Sequence, residues 1–288
     1  MNHKDLLVPS GKGFRLDDRD PGYTPGFKSK ADAVEKLAAG IKRLAELQDV
    51  LYADRSHALL LVLQGMDSAG KDGAIKHVMS GVNPQGVDVF SFKTPTEQEL
   101  DHDFLWRCER VLPPRGRIAI FNRSYYEEVV VVRVHPAFLE NERLPAKPKG
   151  SDLWTQRFEQ INAFERHLVA NGTQIVKCFL HISKAEQRRR LLDRIDQPSK
   201  NWKLSSNDIK ERQFWSDYRR ANEEMLGATS TDVAPWYVIP SDHKWFARVA
   251  IADILIARLE ALDLRYPAID KDRQADILAA KDALEAER

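Results

Sequence analysis

A glycine-rich loop between a predicted buried strand and a predicted helix constrains this chain more than any other feature. Residues 59–63 (LLLVL) form a continuous apolar run, which is typical of a strand buried on both faces of a parallel sheet. Residues 65–72 (GMDSAGKD) then fit the pattern G-x-x-x-x-G-K, and a helical segment is predicted over 73–80. A strand before the loop and a helix after it are the context in which this pattern, the P-loop, binds phosphate.

Each residue type in the P-loop has a physical role in holding phosphates. Glycine lets the backbone turn tightly and bring its N–H groups close to phosphate oxygens, and the following helix directs its positive end to the same place. We therefore predict phosphate contacts at Gly65, Ala69 and Gly70. Lys71 is predicted to be catalytic, because its charge can follow a transferred phosphoryl group. The alternative is an ordinary glycine-containing turn followed by a surface lysine.

The acidic residues of the P-loop indicate a metal ion. The usual Ser or Thr ligand of Mg²⁺ is replaced here by Asp72. Asp67 lies inside an anion-binding loop, which is electrostatically unfavourable unless a cation binds there too. Because Mg²⁺ prefers carboxylate oxygens, we predict that Asp67 is catalytic and is the ligand of Mg²⁺ or Mn²⁺. Asp72 is predicted instead to cap the helix.

The rest of the chain alternates between predicted strands and helices. Beyond 59–63, strands are predicted at 86–92, 117–121, 174–182 and 236–240. Further helices are predicted at 29–51, 97–112, 153–170, 184–195, 209–226 and 244–264, while 125–134 fits either type. This alternation predicts an α/β fold, in which a mostly parallel sheet is covered by helices on both faces.

A second group of polar residues follows the third predicted strand, in the segment FNRSYYEE (121–128). Arg123 can bind phosphate oxygens with two N–H groups at once, and is predicted to be catalytic. P-loop enzymes place a second carboxylate near this strand end, but the position here is Asn122. Glu127 is a second candidate for a metal ligand or a base. Arg133 lies in the apolar stretch VVVVRVHP, where it is either paired internally or directed into a cleft.

Basic residues follow the fourth predicted strand and continue into the segment QPSKNWKLSS. A charge run of this kind is more often a solvated helix face. After a P-loop domain, however, a basic insertion with Pro and Ser predicts a lid that closes on phosphates, with Arg194, Lys200 and Lys203 as its phosphate-binding residues. Lys93 follows the second predicted strand, where an acceptor nucleotide's phosphate is expected.

Composition excludes several classes of protein. Lys and Arg total 44 and Asp and Glu total 43, which argues against a general nucleic-acid binder. No apolar run reaches the ~18 residues that span a membrane, and the N-terminus lacks the apolar core of a secretory signal. The two cysteines, Cys108 and Cys178, lie in apolar stretches and are predicted to be reduced and buried, which favours a cytoplasmic location.

Four segments together resemble family-2 polyphosphate kinases. The resemblance extends from about residue 15 to 265, with these segments in order: GMDSAGKDGAIKHV, VNPQGVDVFSFKTPT, FNRSYYEEVVVVRVHP and DQPSKNWKLS. It implies a P-loop nucleotide-kinase core, similar to that of thymidylate kinase, with a helical lid. The domains expected are an extended N-terminal arm (1–27), a P-loop kinase domain (28–265) with its lid over about 196–208, and a C-terminal helical tail (266–288).

The resemblance also implies an activity. Members of the family move a phosphoryl group between inorganic polyphosphate and a nucleotide with Mg²⁺. By resemblance, Asp67 and Lys71 form the catalytic pair, and Arg123 and the lid cations hold polyphosphate or the transferring group. Asn122 followed by SYYEE resembles the subgroup that phosphorylates both AMP and ADP. The nucleotides expected are thus AMP, ADP and ATP, with contacts at Lys93, Asn122, Glu127 and Arg133. A homodimer or homotetramer is implied as well.

Two other functions fit the same P-loop. A nucleoside monophosphate kinase that uses ATP as donor shares the core, and only exchange of the donor separates it from a polyphosphate-dependent enzyme. A non-catalytic phosphate-binding protein is the second alternative. The presence of both Asp67 and Lys71 argues against it.

Overall fold

The structure is a computed structural model that describes residues 1–11, 13–144 and 151–287, without the side chains of Ser151 and Lys203. Within these residues five parallel strands form one sheet in the order β2-β3-β1-β4-β5, comprising Ala58–Gly65 (β1), Val87–Ser91 (β2), Ile118–Asn122 (β3), Thr173–His181 (β4) and Trp236–Pro240 (β5). The helices are Lys30–Asp54 (α1), Lys71–Val78 (α2), Glu97–Leu100 (α3), Trp106–Glu109 (α4), Glu127–Val134 (α5), Phe138–Asn141 (α6), Ser151–Ala170 (α7), Lys184–Asp196 (α8), Ser206–Glu211 (α9), Trp215–Thr229 (α10), Lys244–Glu260 (α11) and Lys271–Ala286 (α12).

The central position of β1 explains its unbroken apolar sequence. The strand pairs with β3 on one side and β4 on the other, and its first seven residues are buried. Side chains alternate across a strand, so Leu59 and Leu61 face a core built with α1, α2 and α11. Leu60 and Val62 face a second core built with α5, α7 and α10. The predicted α/β fold with helices on both faces is therefore confirmed.

Two predicted helices are interrupted in the structure. The segment predicted as one helix over 97–112 forms the short helices α3 and α4. The chain turns between them at Asp103, whose side chain accepts a hydrogen bond from the Leu105 N–H at 2.9 Å. The segment predicted over 209–226 begins earlier, at Ser206. It is broken by a 3₁₀ turn, Arg212–Phe214, before α10 starts. Residues 125–134, which fitted either type, form α5 from Glu127 onwards.

The N-terminal segment packs against the edge of the sheet at β5. The Val8 N–H donates to the Trp236 carbonyl at 2.9 Å, and Leu7 forms a single antiparallel bridge with Tyr237. Leu16 is buried in the second core. The segment thereby covers an edge strand whose backbone groups would otherwise be open to pairing. No side chain of α12 is buried, and no described helix is both long and apolar enough to cross a membrane.

The segment predicted as a lid contains two short helical elements. It contains a 3₁₀ helix, Pro198–Lys203, and the start of α9. The Asn201 side chain donates to the carbonyl oxygens of Arg194 at 2.7 Å and Ile195 at 2.8 Å, which satisfies backbone groups at the end of α8. The lid segment is thus fastened to the helix that precedes it.

Candidate active site

The P-loop joins the carboxyl end of β1 to the first turn of α2. Gly65 has a φ of 146°, and a Cβ atom at this position would lie 2.6 Å from the Leu180 carbonyl oxygen on β4. Only glycine fits a site with both features. Gly70, with a φ of 113°, is the N-cap of α2. The Ala69 N–H donates to the Met66 carbonyl at 3.1 Å, so this amide closes the loop itself.

Lys71 is the first residue of α2, and its side chain is buried beneath the P-loop. The ammonium group donates to the carbonyl oxygens of Gly65 at 2.6 Å and Met66 at 3.4 Å. Burial lowers the pKa of Lys71, and the nearby charge of Arg123 lowers it further. A bound polyanion would stabilise the charged form of this lysine, which is the electrostatic condition for holding a phosphate chain at the loop.

Arg123 lies between two carboxylates at the carboxyl ends of β1 and β3. Its guanidinium lies 2.8 Å from Asp67 Oδ1 and 3.5 Å from Glu127 Oε2. The backbone at Arg123 is left-handed, with a φ of 64°, and its N–H donates to the Leu63 carbonyl at 3.0 Å. Glu127, ahead of Asp67, raises the pKa of Arg123, while burial opposes the shift. The structure therefore brings four predicted residues of the site together: Asp67, Lys71, Arg123 and Glu127.

The oxygens around this cluster suit a divalent cation. Asp67 and Glu127 provide carboxylates, and the buried atoms Gln64 Oε1 and Ser68 Oγ have no hydrogen-bond partner among the described residues. No three His, Cys, Asp or Glu side chains of the described residues are grouped closely enough to hold a metal ion by themselves. Mg²⁺ is commonly held by one or two carboxylates together with substrate phosphates, so this set of hard oxygen donors fits it.

Asn122 and Asp72 connect β3 to α2. The Asn122 side-chain amide donates to Asp72 Oδ1 at 2.8 Å and reaches Ser91 Oγ at 3.5 Å. Asp72 is the second residue of α2, where a carboxylate interacts favourably with the positive end of the helix. Asn122 thus lies at the edge of the site and holds two strand ends against the first turn of α2.

Several other predicted residues lie away from this cluster. Arg133 is paired with Glu224 at 2.5 Å, and its guanidinium lies 5.7 Å from the centre of the Trp154 ring, so it has an internal partner. Lys93 is exposed at the end of β2. Arg194, near the end of α8, lies 3.7 Å from Asp208 of α9. Lys200 is exposed, and the side chain of Lys203 lies outside the described part of the chain.

Over residues 27–267 the chain matches the protein family described as Polyphosphate kinase 2. The chain belongs to the polyphosphate kinase 2 family. It is similar to the ADP-polyphosphate phosphotransferase of Rhodopseudomonas palustris, with 50% identity over 98% of each chain. It is also similar to the AMP/ADP-polyphosphate phosphotransferase of Meiothermus ruber, with 46% identity over 92% of this chain and 95% of that protein. The crystal structure of polyphosphate kinase 2 from Arthrobacter aurescens TC1 superposes with a TM-score of 0.87 at 43% identity, covering 98% of this chain and 95% of that chain.

Helix α8 supports the P-loop through contacts that the sequence analysis did not predict. Arg190 donates to the carbonyl oxygens of Ser68 at 3.0 Å and Ala69 at 2.8 Å, and Gln187 donates to the Asp67 carbonyl at 2.8 Å. The basic run of α8 was interpreted as solvated or as leading into a lid. The available signal is spacing, because positions 187 and 190 are three residues apart and lie on one helix face.

A cleft on the lid side of the P-loop was also missed. It has a volume of about 120 Å³ and is bordered by Asp67, Arg123 and Glu127 together with residues of α5, α9 and α10. Glu211 accepts hydrogen bonds from the Tyr218 hydroxyl at 2.6 Å and lies 2.8 Å from His135 Nε2. His135 and Glu211 are 76 residues apart in the sequence. No local motif could have indicated their proximity.

Proposed function

We propose that this chain transfers a phosphoryl group from inorganic polyphosphate to AMP or ADP, forming ADP or ATP, and that the reaction is reversible. The observation that supports it most directly is the position of Arg123 between Asp67 and Glu127, beside the buried ammonium of Lys71. Phosphoryl transfer requires positioning and neutralisation of negative charge more than covalent chemistry. The two cations neutralise negative charge, and together with the two carboxylates at the carboxyl end of the sheet they can position the phosphates.

Each residue has a distinct task in this proposal. The P-loop amides and Lys71 bind the donor phosphates, and Arg123 holds oxygens of the transferring group with its two N–H edges. Asp67 and Glu127 hold a divalent cation, Mg²⁺ or Mn²⁺, which when bound neutralises phosphate oxygens of donor and acceptor. Gln187 and Arg190 keep the loop in place through the carbonyl oxygens of residues 67–69.

The acceptor nucleotide is proposed to enter the cleft on the lid side of the P-loop. This cleft opens directly onto Asp67, Arg123 and Glu127, so a nucleotide phosphate there would face the donor. The relatives differ in name: one is an ADP-polyphosphate phosphotransferase and the other an AMP/ADP-polyphosphate phosphotransferase. Together with Asn122 and the SYYEE segment, the second name supports activity with both AMP and ADP.

Other assignments stay predictions. Lys93 and Arg133 remain candidates for nucleotide contacts, and Arg194, Lys200 and Lys203 remain candidates for closure of the lid on phosphates. The homodimer or homotetramer and the cytoplasmic location likewise stay predictions.

A donor–acceptor matrix tests the proposal. The purified protein is incubated with Mg²⁺ and three substrate pairs, polyphosphate with ADP, polyphosphate with AMP, and ATP with AMP, and with ATP alone as a control. We expect ATP from the first pair and ADP from the second, with no rapid ADP from ATP and AMP. Rapid ADP formation from ATP and AMP without polyphosphate would establish the monophosphate kinase instead. Binding of polyphosphate without any turnover would establish a phosphate-binding protein.

Two substitutions test the residue assignments. We expect Lys71→Ala and Asp67→Asn each to lower kcat by about 10²–10³-fold, the range for loss of one group that stabilises transition-state charge. Lys76→Ala is the control for the first, because Lys76 is exposed on the same helix. Asp232→Asn, in an exposed turn, is the control for the second. Rates near those of the unmodified chain in either test variant would contradict the assignment.

A further inference from the structure

A buried arginine connects the end of β2 with the first turn of α5. Arg107 is the second residue of α4, and its side chain is 6% exposed. One terminal nitrogen, Nη1, donates to the Lys93 carbonyl at 2.8 Å, and the other, Nη2, donates to Glu128 Oε1 at 3.2 Å. Because the guanidinium is planar and rigid, these two bonds hold the two segments at a set separation.

The first turn of α5 is held by tertiary contacts in place of a cap. Its N-cap residue, Tyr126, makes no capping hydrogen bond with its side chain among the described residues. Glu128, the second residue of the helix, is held twice: Arg107 binds its carboxylate, and Arg157 of α7 donates to its carbonyl oxygen at 2.8 Å. A helix start without a side-chain cap takes its position from such contacts.

Glu127 and Glu128 are adjacent but point to different sides of this turn, because consecutive residues of a helix are about 100° apart. Glu127 borders the cleft proposed for the acceptor, accepts from Gln64 Nε2 at 2.8 Å and lies 3.5 Å from Arg123. The Glu128 side chain is buried against Arg107. Since both glutamates belong to one turn, a shift of Glu128 also moves Glu127 relative to Arg123.

The other bond of Arg107 fixes the chain just after β2. The Phe92 N–H donates to the Asn122 carbonyl at 3.1 Å, and Arg107 binds the carbonyl of the next residue, Lys93. The guanidinium carbon also lies 5.6 Å from the centre of the Phe92 ring, which adds a cation–π contact. Arg107 thereby holds the backbone of one predicted nucleotide contact, Lys93, and the turn that carries another, Glu127.

The donor side of the site is supported separately. Gln187 and Arg190 of α8 bind the carbonyl oxygens of the P-loop, and Lys71 lies beneath the loop. Within the described residues, no hydrogen bond or ion pair joins Arg107 to any of these three side chains. A change at Arg107 should therefore reach the acceptor side of the site and leave the donor side in place.

We infer that Arg107 is a positioning residue for the acceptor nucleotide, which holds the end of β2 and Glu127 at the separation that nucleotide binding requires. The inference rests on the proposed function, because the acceptor is the one assigned there. An apolar side chain of similar volume would often fill such a buried place at no loss of stability, since burying an ion pair costs the hydration of both charges. Only the guanidinium fork provides the fixed link between the two segments.

The test measures KM for ADP, KM for polyphosphate, kcat and the calorimetric Kd for ADP in Arg107→Met, Arg107→Lys and the unmodified chain. Burial raises the pKa of Glu128 to about 7, so the assays are run at pH 8, where its carboxylate is mostly ionised. We expect KM and Kd for ADP to rise about tenfold in Arg107→Met, the scale of one hydrogen bond to a charged group. Lysine can bind only one of the two oxygens, so Arg107→Lys should raise both about threefold. KM for polyphosphate and kcat should stay within about twofold, because the P-loop contacts are unchanged.

A double variant keeps the test decisive if Arg107→Met is unstable. The single change leaves the buried Glu128 carboxylate with the more distant Arg157, 3.9 Å away. Adding Glu128→Gln removes that charge, so the double variant avoids the cost of a poorly compensated buried carboxylate. It still lacks the bond to the Lys93 carbonyl, and KM and Kd for ADP should remain about tenfold higher than in the unmodified chain.

Two control variants separate charge and stability from positioning. Arg110→Met makes the same substitution at an exposed residue at the end of the same helix, and should leave every constant unchanged. Ile254→Ala removes a fully buried side chain from the core on the other face of the sheet. It should lower Tm through the cavity it creates, while KM for ADP stays unchanged.

The outcomes separate the positioning role from the function. Turnover by the unmodified chain with an unchanged KM for ADP in the double variant would overturn the role and leave the proposed function standing. Equal rises in both KM values, matched by Ile254→Ala at the same loss of Tm, would also overturn it, because Arg107 would then only stabilise the fold. If the unmodified chain shows no turnover with polyphosphate, the proposed function fails, and the calorimetric Kd for ADP then decides. A Kd about tenfold weaker in the double variant supports the role, whereas equal values or no binding overturn it.

Discussion

Glu165→Gln removes the negative charge from a fully buried ion pair beneath the turn that carries Arg123. Glu165 on α7 accepts a hydrogen bond from the Lys177 ammonium on β4 at 2.6 Å, and both side chains have zero exposure. Its other oxygen accepts from the hydroxyls of Tyr125 at 2.8 Å and Tyr126 at 2.7 Å. These tyrosines follow Arg123 in sequence, so the pair anchors the segment that places the guanidinium.

The magnitude follows from the burial of the pair. Glutamine preserves the size of the side chain but leaves the Lys177 ammonium buried without a counter-charge. Breaking a buried pair in this way costs about 3–5 kcal/mol. For a chain of this size, about 2 °C in Tm corresponds to 1 kcal/mol, so Tm should fall by roughly 6–10 °C. Thermal and urea unfolding, followed by circular dichroism, measure the change.

The loss of unfolding free energy in Glu165→Gln should also depend on pH. Burial lowers the pKa of Lys177, and Glu165 opposes this shift. Without Glu165 the folded-state pKa falls further below the unfolded value of about 10.4. The unfolded state then binds more protons, so stability of the variant rises with pH through the folded pKa. We expect the difference in unfolding free energy from the unmodified chain to narrow between pH 7 and about pH 10.

Two further variants make the test specific. Glu159→Gln changes an exposed residue of the same helix and should alter stability by less than about 0.5 kcal/mol. Adding Lys177→Met to Glu165→Gln removes the unpaired charge and should recover most of the lost stability. A Tm loss below about 2 °C, or a double variant no more stable than the single one, would refute the reasoning.

Three other predictions address the loop, the arginine and the thiols. Gly65→Ala places a Cβ atom 2.6 Å from a β4 carbonyl oxygen at a φ of 146°, so the variant should lose most turnover and have a lower Tm. Gly26→Ala is the control for backbone strain alone, because Gly26 has a φ of 82° and no described atom lies within 4 Å of its Cβ position. Arg123→Lys keeps the charge but loses the fork between two carboxylates, so kcat measured with polyphosphate and ADP should fall by about 10²-fold, and an unchanged kcat would contradict the proposed contact. Burial raises the pKa of Cys108 to about 12 and also raises that of Cys178, so a disulfide reagent at pH 8 should label neither thiol until urea unfolds the chain.

Local sequence patterns determined much of the fold, because burial leaves a periodic signature. The apolar run in β1 and the five residues of β5, Trp236–Pro240, were predicted at the positions where the strands occur. Helix interruptions could not be read in the same way. Arg107 in α4 is buried, and its charge is compensated there by the Lys93 carbonyl at 2.8 Å and by Glu128. The spacing of apolar residues in 97–112 does not predict either contact.

The centre of the candidate site was also accessible from sequence. Asp67 and Lys71 belong to one short motif, and Arg123 and Glu127 follow a strand predicted to be parallel to it. Parallel strands end at the same edge of a sheet. These residues therefore lie close together when β1 and β3 are neighbours, as they are in the structure. Asp67 and Lys71 followed from the motif alone, whereas the pairing of β1 with β3, which brings Arg123 and Glu127 to them, is given by the structure.

Only the tertiary structure decided which charged side chains have partners. Arg133 pairs with Glu224, 91 positions away, while Arg190 supports the P-loop from a helix more than 100 residues beyond it. Lys244 and Arg248 remain without a carboxylate in the part of the chain that the structure describes. A charge in a sequence carries no record of what lies opposite it, because Coulomb interactions depend on distance in space. The P-loop could therefore be recognised from its residues, whereas the contacts of the cations around it are set by the tertiary structure.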